Sequence, residues 1–171
     1  MIVIKNKKLE KAFNKRIIPG ITCLGIDAAS RTGWCKIETD LNHIKLDYAF
    51  IDIKSKDRIF KYNQYLQIFN SFPLVDRVII EESYYSRNVK GFQMLSRLSG
   101  IIYAVLRLRK VEDISFILAS TARKNLGLKG TRKKEIVHKE FSEKLETKLK
   151  DPDVIDAFIL ALNGILEDYT L

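Results

Sequence analysis

The chain is poor in the residues that build several common kinds of site. It has two cysteines, Cys23 and Cys35, in 171 residues. They fall in adjacent strand-like stretches, which excludes a disulfide framework and the clustered spacing of a zinc site. Two buried reduced thiols are the expectation. Its two histidines, His43 and His138, stand far apart, so no histidine constellation is visible. No apolar run approaches the ~20 residues that cross a bilayer, which predicts a soluble protein with no membrane partner. There is no internal repeat and no low-complexity segment. The first 20 residues hold six basic residues, one acid and no serine, unlike an Arg- and Ser-rich transit peptide, and they lack the apolar core of a secretory signal.

Positive charge is plentiful. Thirty Lys and Arg against 21 Asp and Glu give a net charge of +9, a balance that favours an anionic partner, nucleic acid above all. With 46% hydrophobic residues the chain can bury an ordinary core, and its length suits one domain. Residues 1–20 read as a basic extension ending at Pro19-Gly20, and residues 21–171 as the folded domain.

From Ile21, "ITCLGIDAASRTGWCKIE" runs as a strand ending in Asp27, a turn of small residues and a returning strand. "HIKLDYAFIDI" alternates apolar and polar residues, as a half-exposed strand does. Together they predict an antiparallel meander. Helical spacing follows over 56–71, closed by Pro73. Val78 to Glu82 is an apolar strand, 88–110 a long helix and 114–118 a fifth strand. Three helices complete the chain, from 120 to about 126, 131 to about 149 and 152 to about 168. Asp151 and Pro152 give the last of these an N-cap and a first-turn proline. The order predicts an α/β fold of ribonuclease H-like type, a five-stranded mixed sheet with helices on both faces.

Acids stand where apolar residues would be expected. Asp27 closes the first strand, and Glu81 and Glu82 close the fourth, which neighbours the first in this architecture. Asp153 and Asp156 lie three apart, on one face of an otherwise apolar helix. Carboxylates brought together there would raise one another's pKa, a conflict that Mg²⁺, an oxygen-seeking ion, removes. Two such ions ~4 Å apart can clamp both oxygens of an in-line phosphodiester displacement. Glu81 and Glu82 point to opposite faces of their strand, and the apolar run alone does not decide which one joins Asp27.

"LGIDAASRTGW", "VIIEESYYSRN", "KGTRKKEIV" and "DPDVIDAFILA" resemble, in order and spacing, the motifs of the RuvC family of Holliday-junction resolvases, over about Ile21 to Ile165. The resemblance implies a homodimeric crossover junction endonuclease that binds four-way junctions and other branched DNA and nicks two strands symmetrically. It implies two Mg²⁺ ions, with Mn²⁺ as a substitute, no small-molecule cofactor and a cytoplasmic location (the host cytoplasm for a phage-borne member). The catalytic, metal-holding acids fall on Asp27, Glu81, Asp153 and Asp156, and gapless alignment of "YYSRN" selects Glu81. The junction wedge falls at Tyr84, with Tyr85 beside it and Arg87 following. The basic residues near the scissile phosphate fall at Arg123 and Lys134, with Lys133 a close competitor. Where the family has Pro-Gly after its first Asp, this chain has Ala28-Ala29, which changes the turn and removes no ligand.

Between Arg123 and Lys150 there are ten basic residues and four acids. Lys124, Lys129, Arg132 and Lys133 join Arg123 there as expected contacts to the DNA backbone, which position a nucleic acid without reading its sequence. Two alternatives share the fold: a ribonuclease H acting on RNA–DNA hybrid, and a junction-binding module without catalysis. Two acids on the last helix favour the resolvase arrangement over the former, and an intact set of four acids argues against the latter. "GIDAASRTG" also resembles the first nucleotide loop of actin-like sugar kinases, but those need two lobes and this length supplies one.

Overall fold

The computed structural model describes residues 2–83, 88–129, 133–147 and 149–169. A six-stranded sheet is built from β1 (Ile2–Lys5), β3 (Thr22–Asp27), β4 (Arg31–Thr39), β5 (His43–Asp52), β6 (Arg77–Glu81) and β7 (Asp113–Ile117). Its order is β1-β5-β4-β3-β6-β7. Strands β3, β4 and β5 form the expected antiparallel meander, and β6 and β7 add parallel to β3. The mixed α/β ribonuclease H-like fold is therefore present, with six strands where five were expected.

The sixth strand comes from the segment read as a basic extension. Ile2–Lys5 pairs antiparallel with β5, and α1 (Asn6–Phe13) and β2 (Arg16–Ile17) follow. Ile4, Leu9, Phe13 and Ile17 are buried in the main core, while Lys5, Lys7 and Lys11 are exposed. The lysines are the solvent face of an amphipathic strand and helix, and their number hid the apolar positions between them.

Helices cover both faces. On one, α2 (Arg58–Ser71) and α3 (Val89–Leu108) pack over Leu24, Ile26, Val78 and Ile80. On the other, α6 (Pro152–Ile165), with α4 (Ala119–Asn125) and α5 (Lys134–Leu145), packs over Cys23 and Ile79. Side chains alternate along a strand, so the residues of β3 that face α6 are Cys23, Gly25 and Asp27. Gly25 lets the helix come close: a Cβ there would lie 2.1 Å from the Ala157 carbonyl oxygen. The last helix ends at Ile165, short of the expected 168, because Leu166–Glu167 (β8) turns out to pair with β2. The α5 helix likewise stops at Leu145, where Glu146 takes a left-handed conformation. Among the described residues no helix is long and apolar enough to cross a membrane.

Candidate active site

Two strand ends and one helix start meet at a single edge of the sheet. The parallel register Ile26↔Ile80 sets Asp27 and Glu81 side by side at the ends of β3 and β6. Ile79, two residues before Glu81, belongs to the core under α6, so alternation turns Glu81 toward α6 as well. Glu82 is exposed, and its backbone N–H continues the sheet by donating to Ile117 O at 2.9 Å. Opposite them, Asp151 caps α6 by accepting from Asp153 N at 3.1 Å and Val154 N at 3.3 Å. That start presents Asp153 and Asp156 from the first turns of α6.

The cluster carries the electrostatic conflict expected of crowded carboxylates. Burial, then the neighbouring Glu81 charge, pushes the Asp27 carboxyl well above its usual range. Glu81 is raised too, by burial first and then by Asp156. Asp27 and Glu81 share a hydrogen bond that favours the proton on Asp27 and the charge on Glu81. Asp156, 4% exposed, is the opposite case. Burial would raise it, but hydrogen bonds from His138 and Lys134 outweigh burial and hold it below the ordinary value. Its Oδ1 accepts from His138 Nε2 at 2.9 Å and from Arg123 Nη2 at 3.1 Å, and its Oδ2 pairs with Lys134 Nζ at 2.6 Å.

Lys134, its side chain 42% exposed, reaches the cluster from its rim. Its ammonium also lies 3.7 Å from Asp153 Oδ1 and 3.8 Å from Asp27 Oδ2. Partial burial alone would lower its pKa, and the Asp156, Asp27 and Asp153 carboxylates together more than offset this. Lys133, just before α5, is exposed, as are Lys124 and Lys129. Tyr84, Tyr85, Arg87 and Arg132 lie outside the described residues.

Two groups at the site were not foreseen from sequence. His138, read as solitary, sits one helical turn after Lys134 on the same face of α5, and that spacing was the signal available. Arg31, the first residue of β4, pairs through its guanidinium with Asp151 and Asp153, including Nη1 to Asp151 Oδ1 at 3.0 Å. It stacks 3.5 Å over the Phe50 ring. It ties the hairpin that follows Asp27 to the turn that carries Asp153.

The donor set suits a hard divalent cation: four carboxylates, no thiolate. Among the described residues no three His, Cys, Asp or Glu side chains are grouped closely enough to hold a metal ion as they stand. Positive charge reaches the cluster from the Lys134 ammonium and the Arg123 and Arg31 guanidiniums, while Asp27 and Glu81, both raised by burial, are the pair whose charge a divalent ion would relieve. The residues fit such an ion.

Glu81 and Glu82 can be separated experimentally. Glu81→Gln is expected to lose most of the rise in melting temperature that added Mg²⁺ gives, while Glu82→Gln keeps it, since an ion that binds only the folded state stabilises it. Melting curves of the two variants with and without Mg²⁺ check this, and the reverse pattern would place Glu82 in the site.

No protein-family model matches the chain, and neither does any curated protein sequence. Solved structures do. RuvC of Thermus thermophilus superimposes with a TM-score of 0.63 at 15% identity, over 86% of this chain and 99% of that one. The T. thermophilus RuvC in complex with a Holliday junction substrate gives 0.64 at 14% identity, over 83% and 91%. The yeast mitochondrial Holliday junction resolvase Ydc2 gives 0.56 at 12% identity, over 90% and 81%. Strand order, helix placement and these superpositions agree: the chain has the fold of the RuvC-type Holliday junction resolvases.

Proposed function

We propose that the protein is a metal-dependent endonuclease that cuts branched DNA, four-way junctions foremost, as a homodimer that nicks two strands symmetrically. The observation that carries this reading is the convergence of Asp27, Glu81, Asp153 and Asp156 from two strand ends and one helix around Lys134. The net charge of +9 supports a nucleic-acid substrate. Exposed Val89 and Tyr103, on one face of α3, support self-association, and a two-fold dimer matches a substrate cut twice.

Asp27, Glu81, Asp153 and Asp156 are the groups that would hold the ions. Bound there, divalent cations supply a water of lowered pKa and relief of charge on the attacking and leaving oxygens. The chain's own contribution is orientation. Arg31 holds Asp153 in place from the side of β4. Asp156 gathers Arg123 and Lys134, with His138 as a further hydrogen-bond partner, so it would set the cations that face a scissile phosphate.

Lys134 and Lys133 then have different tasks. Lys134→Ala is expected to lower the cleavage rate at saturating protein by roughly 100-fold, the usual loss when one preorganised donor to developing charge is removed. Lys133→Ala is expected to weaken binding to every DNA shape alike and to flatten the slope of log affinity against log salt by about one unit, with a far smaller effect on the saturated rate. Single-turnover kinetics with protein in excess separate the two. Equal saturated rates in both variants would remove Lys134 from the reaction.

A further inference from the structure

We propose that the cleft between the β3–β4 turn and the β5–α2 loop is a second docking site for a phosphodiester backbone, which grips the substrate strand beyond the cut. This rests on the nuclease reading above and adds a surface to it. The cleft has a volume of about 520 Å³ and is lined by Arg31, Lys54, Lys56 and Lys61 with one acid, Asp52; Arg31 is already balanced by Asp151 and Asp153, so the three lysines carry its charge. Ser30 and Ser55 add hydroxyl donors to its wall.

Its position in the fold ties it to the acids. Strands β3, β5 and β6 run in the same direction, because β4 is antiparallel to both β3 and β5 while β6 is parallel to β3. Their C-terminal ends, at Asp27, Asp52 and Glu81, therefore share one edge of the sheet. The register Arg31↔Asp52 places the cleft at that edge, on the β5 side of the acids. On the other side α4 follows β7, the far edge strand, and carries Arg123 to Asp156. Two basic surfaces thus flank the carboxylates, and a strand crossing the acids would meet both. Arg31 belongs to the cleft wall and to the site, since its guanidinium also holds Asp151 and Asp153.

The chemistry favours a backbone over a small phosphate metabolite. Lys54 and Lys56 are exposed loop side chains. They are point charges on flexible stems, which suit a run of phosphates and lack the fixed fork that selects one small anion. Lys54 pairs with Asp52 at 2.6 Å, but its side chain is 85% exposed, and a pair so exposed is readily given up for a phosphate. The start of α2 is not the attraction. Its free N–H groups at Ile59 and Phe60 are already taken by the Asp57 carboxylate.

The test removes three charges from the cleft in the full chain (Lys54→Gln, Lys56→Gln and Lys61→Gln together). Binding of a labelled four-way junction is then measured over a salt series in EDTA, with thermal melting to check that the fold is kept. The slope of log affinity against log salt should flatten by about 2 to 3 units, close to 0.9 for each phosphate no longer neutralised. A control variant, Lys7→Gln, Lys11→Gln and Lys45→Gln, removes the same charge from exposed lysines near the opposite end of β5 and should keep the wild-type slope. A cleft variant that keeps the wild-type slope, or a control that flattens it equally, overturns the cleft while leaving the nuclease reading intact. A wild-type protein that binds no DNA overturns both.

Discussion

Asp27→Asn is expected to abolish cleavage, by about 1000-fold or more at saturating protein, while junction affinity stays within a few-fold of wild type. In the proposed reading the acid would hold an ion and make few contacts of its own to DNA, so its loss would remove stabilisation of the transition state. The same change should make the metal-free protein more stable at pH 8. Burial and Glu81 raise the Asp27 pKa far above the 3.8 of a free aspartate. The folded state therefore keeps a proton that the unfolded chain releases. Stability falls as pH rises from about 4 through the folded pKa, and above it the full penalty remains. An asparagine in its place carries no such penalty, and its amide still donates to Glu81. Melting in EDTA should show a transition a few degrees above wild type at pH 8, with the difference shrinking toward pH 4. Adding Mg²⁺ should raise the wild-type transition and leave that of the variant nearly unchanged. A variant that melts below wild type at pH 8, or that gains equally from Mg²⁺, would contradict this reading of Asp27.

Gly33→Ala is expected to be the most damaging small substitution near the site. A Cβ at Gly33 would lie 2.1 Å from the Asp153 carbonyl oxygen and 2.4 Å from its carbon. Both are backbone atoms, so no rotamer change relieves the clash, and the start of α6 must move away from β4. That shift separates Asp153 from Arg31 and the helix from the sheet at once. A loss of about 3 kcal/mol is the scale of a severe overpacking, or a fall in Tm of roughly 6–12 °C for a domain of this size. Cleavage should disappear with it. Gly100→Ala provides the contrast: it sits within α3 with nothing within 4 Å of the new Cβ. There the substitution should stabilise by up to ~1 kcal/mol through helix propensity. Calorimetry on the two variants checks both signs. A wild-type Tm for Gly33→Ala would mean that α6 is not wedged against β4 as described.

Much of this arrangement was legible in the sequence because its chemistry conflicts with its setting. Asp27 at the end of an apolar strand, and Asp153 and Asp156 in a helix of Val, Ile, Leu and Phe, stand out as residues that need a partner. The meander was readable from the alternation in β5, which has one face toward solvent. The choice between Glu81 and Glu82 was not readable from the apolar run. β6 is a central strand covered on both faces, so Val78, Ile79 and Ile80 are all apolar and carry no register. The family resemblance pointed to Glu81 through "YYSRN", and the packing of Ile79 on the α6 side gives the physical reason. The sixth strand was hidden for the opposite reason: an edge strand and a short helix with lysines on their wet face look like a charged tail. Arg31 could not be found locally, since its partners lie 120 and 122 residues away.

The most direct test of the proposed activity is an end-labelled cleavage assay with wild-type protein on four-way junction, linear duplex and RNA–DNA hybrid, each with and without Mg²⁺. The expected result is paired nicks at symmetric positions across the four-way junction, only when Mg²⁺ is present, with the duplex and the hybrid left largely intact. Junction binding without cleavage in either Mg²⁺ or Mn²⁺, or preferential cutting of the hybrid's RNA strand, would contradict the account.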